Sequence, residues 1–138
     1  RLEKVYDNYD SFIDEIKAGP QNTFWDSDFE RYYKADLEFL PDGHVRPLSK
    51  LENIVAASQA TQDEDWVKIF PSIQQPTLLC VGVNNYALGE PLLPMAYAEE
   101  TVSLMPNCKL VKIDGNHHTM LYGKGAKQIV DAIIDFLK

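Results

Sequence analysis

The second half of the chain constrains the fold most, because two short apolar segments there are separated by a helical one. Residues 76–82, PTLLCVG, form an unbroken apolar run between a proline and a glycine, which is typical of a strand covered on both faces. Residues 109–113, KLVKI, predict a second strand, and residues 94–105 between them have a helical pattern. A last helix is predicted over 126–138. This strand-helix-strand-helix order with short links predicts parallel strands and an α/β fold.

Two parallel strands make a very small sheet, and such strands occur almost only inside larger sheets with helices on both faces. We therefore expect the chain to be part of a larger α/β domain or to borrow strands from a partner. The first residue is Arg rather than Met, which fits a chain cut from a longer one. Unpaired strand edges also favour association, so a homo-oligomer or pairing with a missing N-terminal half is expected.

The first half of the chain has a helical, amphipathic pattern. A first helix, ended by Gly19-Pro20, is predicted from apolar residues at three- and four-residue steps: Leu2, Val5, Tyr9, Phe12 and Ile16. Asp26 and its neighbours offer a cap for a second helix of about a dozen residues. A turn is predicted at residues 41–43, PDG. A third helix is predicted from near Ser49, and three of its residues are expected to be buried: Leu51, Ile54 and Val55.

Composition excludes several classes of partner. Thirteen Lys and Arg against twenty-one Asp and Glu give a net charge of -8, which repels nucleic-acid phosphates and anionic membranes. No apolar run approaches the roughly 20 residues of a membrane span, and no signal peptide opens the chain. Cys80 and Cys108 are too few for a disulfide framework and are expected to be reduced core residues. We predict a cytoplasmic protein with no nucleic-acid or membrane partner.

The segment KLVKIDGNHHTML, residues 109–121, carries the clearest chemical signal. After the second strand it presents Asn116, His117, His118 and Thr119 in a loop at the strand's carboxyl end, the edge where open α/β sheets bind ligands. A histidine there can act as a general base, because its pKa lies near neutrality in the absence of perturbation. Adjacent histidines lack the spacing of a helical metal-ligand pair, and no glycine-rich phosphate loop is present. No metal and no cofactor are predicted.

The run from residue 75 to 138 resembles the C-terminal end of an α/β-hydrolase. The resemblance lies in PTLLCVG, an intervening helix, KLVKIDGNHHTML and a closing helix that ends IIDFLK. The first seventy residues, with the turn PDGHVRPLS, resemble the helical lid that many members of this family insert before those strands. The resemblance implies two segments: a lid at 1–70 and the C-terminal part of the hydrolase core at 71–138.

The resemblance also implies the role of a catalytic histidine. His117 follows Gly115-Asn116 and precedes Thr119, as the family pattern places that histidine, and it is therefore favoured over His118. In the family this residue takes a proton from a serine and returns it to the leaving group. The implied activity is hydrolysis of a small carboxylic ester, thioester or amide.

The sequence departs from the family at two points. The nucleophile elbow, Gly-x-Ser-x-Gly, is absent, so the nucleophile is expected upstream of Arg1 and this chain alone is expected to be inactive. Asn85 occupies the position where many members have the catalytic Asp, Glu90 is a weak candidate for the acid, and the acid could also lie upstream. A non-catalytic binding protein of the same fold and a self-associating inactive fragment are the alternatives.

An aromatic cluster in the first half has two interpretations. Phe24, Trp25 and Tyr33 could line an apolar acyl pocket beneath the lid. They could equally pack helices against the main domain. The sequence leaves both interpretations open.

Overall fold

The computed structural model describes residues 1–19 and 22–138 and divides the chain into two compact units, Arg1–Glu64 and Asp65–Lys138. The first unit contains helices and an antiparallel hairpin, and the second contains helices and a parallel strand pair. The mixed helix-and-strand composition and the parallel pairing confirm these parts of the prediction. That the two segments are a lid and a hydrolase core stays a prediction.

The elements of the first unit are short. They are α1 (Tyr9–Lys17), α2 (Ser27–Ala35), β1 (Leu37–Phe39), β2 (Val45–Pro47) and α3 (Leu51–Gln62).

The start of α1 corrects the predicted first helix. Asn8 caps the helix, since its Oδ1 accepts a hydrogen bond from the Ser11 amide at 2.9 Å. Before it, Tyr6 forms an isolated β-bridge and exchanges two backbone hydrogen bonds with Val45 of β2 at 2.8 and 3.0 Å. Leu2 and Val5 therefore precede the helix. At its other end the helix stops at Lys17, and Pro20 of the predicted stop signal lies outside the described residues.

Aromatic rings form the core of the first unit. Phe12 on α1 and Phe29 on α2 are fully buried, and Phe12 packs edge-on against Tyr6, with ring centroids 5.1 Å apart. The second helix begins where the sequence predicts it. Asp26 accepts hydrogen bonds from the amides of Asp28 and Phe29 at 3.0 and 2.8 Å. The cap thus holds the helix start from which Phe29 enters the core.

The hairpin β1–β2 was not predicted, although the turn that joins its strands was. Gly43 has a φ of +92°, and Asp42 accepts a hydrogen bond from the His44 amide at 3.1 Å, which closes the turn. Each strand has three residues, too few for an alternating pattern to be recognised.

The buried face predicted for α3 is wrong. The three residues predicted to be buried are Leu51, Ile54 and Val55, and their exposed fractions are 41%, 52% and 55%. No residue of the helix is buried. The start of the helix at Leu51 agrees with the prediction of a start near Ser49, whose amide and hydroxyl donate to Asp36 Oδ1 at 3.2 and 2.7 Å.

The second unit contains the predicted strand-helix-strand-helix order. Its elements are α4 (Trp66–Ser72), β3 (Thr77–Gly82), α5 (Met95–Leu104), β4 (Cys108–Ile113), a 3₁₀ turn (Thr119–Leu121) and α6 (Gly123–Phe136).

The two strands of this unit are parallel, as predicted, and run in register from Thr77 opposite Cys108 to Gly82 opposite Ile113. Helix α5 makes the crossover between them, which is the connection that parallel strands require. Complete burial of β3 on both faces is not observed. Its residues 77–80 are only half-buried, and burial is complete only at Val81 and Gly82. The deepest packing therefore lies at the carboxyl ends of the strands.

Helix α4 begins directly after the run 62–65, QDED, whose polar residues favour a helix start. Asp65 caps the helix by accepting a hydrogen bond from the Lys68 amide at 3.3 Å. Helix α6 starts three residues before the predicted position, and its apolar stripe is largely exposed: Val130, Ile133 and Leu137 are 52%, 43% and 77% accessible. No helix among residues 1–19 and 22–138 combines the length and apolar character needed to span a bilayer.

The Asp26 cap gives a test of the first unit. Replacing Asp26 with Ala removes the acceptor for two helix amides and is expected to lower the free energy of unfolding by about 1 kcal/mol. Asp26→Asn keeps the acceptor oxygen and should lower the free energy of unfolding by only a small part of that amount. Urea unfolding monitored by circular dichroism measures both, and equal losses would contradict the capping role.

The strand edges give a second test. Within the described residues β3 and β4 pair only with each other, so we expect the chain to form dimers or larger oligomers in solution. Leu78→Lys places a charge on β3 and should shift the population towards monomer, whereas Gln75→Lys, with the same charge change outside the strand, should not. Light scattering that finds the unaltered chain at 15.7 kDa would contradict the expectation.

Candidate active site

The carboxyl ends of β3 and β4 meet in an unusually close backbone contact. Hydrogen bonds continue beyond the strands, from the Val83 amide to Ile113 O at 3.2 Å and from the Asn84 amide to Gly115 O at 3.0 Å. A Cβ atom on Gly82 would lie 2.8 Å from the carbonyl carbon of Asn116 and 2.9 Å from its oxygen. Glycine at position 82 thus allows the loop after β4 to lie directly against the end of β3.

Asn116 organises that loop from a buried position, since its side chain is 1% exposed. Its Oδ1 accepts hydrogen bonds from the amides of His118 and Thr119, at 3.0 and 2.9 Å. The Thr119 hydroxyl donates to the same oxygen at 3.1 Å and accepts from the Asn116 amide at 2.9 Å. The Asn116 carbonyl accepts from the Met120 amide at 2.9 Å. These bonds fix both ends of the segment that carries the two histidines.

A glycine completes the geometry of the loop. Gly115 has a φ of +109°, and a Cβ there would lie 2.8 Å from the Met120 nitrogen. The backbone therefore turns sharply between the end of β4 and Asn116, in a conformation that L side chains rarely adopt.

Both histidines contact the ring of Tyr86. The phenol of this half-buried residue lies edge-on to His117, with ring centroids 5.7 Å apart, and edge-on to His118 at 5.9 Å. Both imidazoles thus lie beside one ring, although the two histidines are adjacent in the chain. His117 is the more exposed of the two.

An apolar cavity opens beside His117. It has a volume of about 260 Å³, and its lining comes from β3, the loop before α5 and the histidine loop: Leu79, Cys80, Val81, Gly82, Leu92, Leu93, His117 and Met120. His117 is the lining residue with an ionisable nitrogen, and His118 does not line the cavity. Burial raises the pKa of the Cys80 thiol, so this lining residue stays protonated and uncharged at neutral pH. The geometry thus distinguishes the two histidines in favour of His117.

The carboxylates closest in sequence to this loop and to Tyr86 make no hydrogen bond or ion pair with His117. Asp114 forms an ion pair with Lys124 and accepts a hydrogen bond from Gln128 at 3.2 Å, and Lys124 is the main cause of its lowered pKa. Glu90 is exposed, and its backbone carbonyl accepts from the Tyr86 amide at 2.7 Å. Within residues 1–19 and 22–138, no carboxylate makes a hydrogen bond or ion pair with His117. The side chain of Asn85, in the predicted acid position, is exposed.

The aromatic residues predicted for a pocket lie in the first unit. Trp25 stacks on Tyr33 with centroids 5.8 Å apart and planes 9° apart, and its indole N–H donates to Glu30 at 3.2 Å. Tyr33 is buried, whereas Phe24 is 37% exposed. Trp25 and Tyr33 therefore take part in helix packing, and a role in substrate binding stays a prediction.

The cysteines and metal ligands add no further site in the described part of the chain. Cys80 and Cys108 are free thiols, as predicted, but half-buried rather than in a core. Across the described ranges, no group of three or more His, Cys, Asp and Glu side chains is placed to hold a metal ion.

No family profile matches the chain, and no solved structure matches it. The chain is similar to the polyketide synthase ThaQ of Burkholderia thailandensis, with 28% identity over 122 residues. This similarity covers 75% of the chain and 6% of the synthase, so the chain spans a small part of that relative's length. At this level of identity the α/β-hydrolase resemblance stays a prediction.

Sequence reasoning missed the contact of Tyr86 with the histidines and the hydrogen bonds between the Thr119 hydroxyl and Asn116. The three-residue spacing between Asn116 and Thr119 was available as a signal, because Asn and Thr at this spacing often cap a turn. Tyr86 had no such signal, since the loop that carries it is distant in sequence from the histidines.

The Thr119 hydroxyl gives a test of the loop. Thr119→Val keeps the shape but removes both hydroxyl bonds and leaves the buried Asn116 amide without its acceptor, which should destabilise the chain by about 1–3 kcal/mol. Thr119→Ser retains the hydroxyl and should protect the Asn116 amide from hydrogen exchange, whereas Val should not. Equal exchange in the two variants would contradict the assigned network.

Proposed function

We propose that this chain is the lid and C-terminal part of a serine-type α/β-hydrolase, with His117 as its general acid and base. The observation that carries the proposal is the position of His117. It lies at the carboxyl end of a parallel strand, on a hydrogen-bonded loop, beside an apolar cavity. Ligands of open α/β sheets bind at this edge, and a general base must combine a fixed position with access to its substrate.

In this proposal the histidine works between a serine and a leaving group. His117 takes the hydroxyl proton as the serine oxygen attacks the substrate carbonyl, and gives it to the departing alcohol, thiol or amine. It then takes a proton from a water molecule as the water oxygen attacks the acyl-enzyme carbonyl, and gives that proton to the departing serine oxygen, which releases the carboxylic acid and restores the serine. The serine belongs to a segment outside Arg1–Lys138, since no serine here has the flanking glycines of the nucleophile elbow.

An acyl substrate is the class we favour. The lining of the cavity is apolar apart from His117, which suits the hydrocarbon part of an ester or thioester.

A second candidate is a non-catalytic binding protein of the same fold. It is favoured by the exposed Asn85 in the acid position and by the aromatic, uncharged neighbour of His117. Asparagine can hydrogen-bond an imidazole but cannot stabilise an imidazolium by charge. A fluorophosphonate probe separates the two candidates, because only an activated serine reacts with it.

The test of the main proposal uses the complete translated polypeptide that contains this chain. His117→Ala should lower kcat for p-nitrophenyl esters and acyl thioesters by about 10²- to 10⁴-fold, the usual contribution of a general acid and base. His118→Ala is the matched control, since it removes the neighbouring imidazole that does not line the cavity, and should retain most of the activity.

Equal activity of the His117→Ala variant and the unaltered protein would overturn the assignment. Absence of both hydrolysis and fluorophosphonate labelling in the unaltered polypeptide would favour the binding protein instead.

A further inference from the structure

Tyr86 is held in place by a compact loop of its own. Its amide donates to the Glu90 carbonyl at 2.7 Å, and its carbonyl accepts from the Gly89 amide at 3.1 Å. Gly89 has a φ of +79°, which permits this tight return of the chain. The position of Tyr86 is thus set by backbone bonds that do not depend on its side chain.

The loop of Tyr86 is also tied to the loop of the histidines. Asn84, two residues before Tyr86, donates its amide to Gly115 O at 3.0 Å, and Gly115 lies two residues before His117. The phenol ring and the imidazole are therefore attached to two segments that are hydrogen-bonded to each other. Their edge-on contact, with centroids 5.7 Å apart and planes at 71°, is a favourable arrangement of two aromatic rings.

We propose that Tyr86 is a positioning residue that restricts the rotation of the His117 imidazole and holds it beside the apolar cavity. In a Ser-His-Asp triad a carboxylate bonded to one ring nitrogen performs this task. Here the described residues place an aromatic ring, and no carboxylate, against His117. Tyr86 acts through its ring, so its hydroxyl is dispensable. This inference rests on the proposed function for its catalytic consequence, but the contact between Tyr86 and His117 can be tested without activity.

The first experiment detects the ring contact between Tyr86 and His117 in the 138-residue chain. The imidazole carbon-bound protons of His117 and His118 are observed by NMR in the unaltered chain and in Tyr86→Phe and Tyr86→Leu. Phe keeps the ring and should leave both histidine spectra nearly unchanged. Leu keeps apolar bulk without a ring current and should shift both. His44, which contacts Asp42 in the first unit, provides an internal check of folding.

The second experiment measures kcat and KM in the complete polypeptide. An edge-on aromatic contact of this kind corresponds to a change of about 2- to 10-fold in rate, so Tyr86→Leu should lower kcat by that factor. KM should change little, because Tyr86 does not line the cavity. Tyr86→Phe should restore kcat.

The outcomes separate this inference from the proposed function. Unchanged His117 signals in Tyr86→Leu would overturn the positioning role, whatever His117→Ala does to activity. A Phe variant as impaired as Leu would also overturn it, because the hydroxyl would then be the active group. Shifted His117 signals together with full activity of His117→Ala would support the contact and reject the hydrolase.

Discussion

The backbone contact between Gly82 and Asn116 is the constraint on which the candidate site depends. Parallel strands bring their carboxyl ends to one edge, but side chains normally keep the following loops apart. Here a glycine at the end of β3 leaves space for the Asn116 carbonyl, and the Asn84–Gly115 hydrogen bond extends the pairing into the loops. The consequence is that residues more than thirty positions apart, Tyr86 and His117, become neighbours on short, restrained segments.

The chemistry of the histidine loop follows from a division of roles among adjacent residues. Asn116 and Thr119 are buried and hydrogen-bond to each other, so residues on either side of His117, and not its imidazole, form the hydrogen bonds that shape the loop. Asp114, the nearest carboxylate in sequence, forms its ion pair with Lys124 and its hydrogen bond with Gln128 on α6, so it fixes the end of β4. Structural polar groups and the candidate chemical group are thus different residues, as expected where a side chain must change protonation during a reaction.

Much of the second unit could be predicted from sequence, and less of the first. Strand β3 was predictable because its apolar run is bounded by a proline and a glycine, and the order of β3, α5 and β4 implied parallel pairing. The cap at Asp26 was predictable because capping is local. Burial could not be predicted in the same way. Periodicity predicts an apolar helix face but not what packs on it, and apolar residues of α3 and α6 are exposed. The contact between Tyr86 and His117 depends on tertiary structure and left no local pattern.

His117 is both exposed to solvent and restrained by its neighbours, and neither of the other two histidines combines these properties with a position beside the cavity. His44 lies in a hairpin turn beside Asp42, and His118 is half-buried and does not line the cavity. His117 is exposed, yet it lies between Asn116 and His118, whose amide donates to Asn116 Oδ1, and its ring contacts Tyr86. A general base needs both properties, because a mobile imidazole loses the alignment that proton transfer requires and a buried one cannot reach its substrate. Under the proposed function, the loop presents the His117 imidazole for proton transfer, and the apolar cavity beside it receives the part of the substrate that does not react.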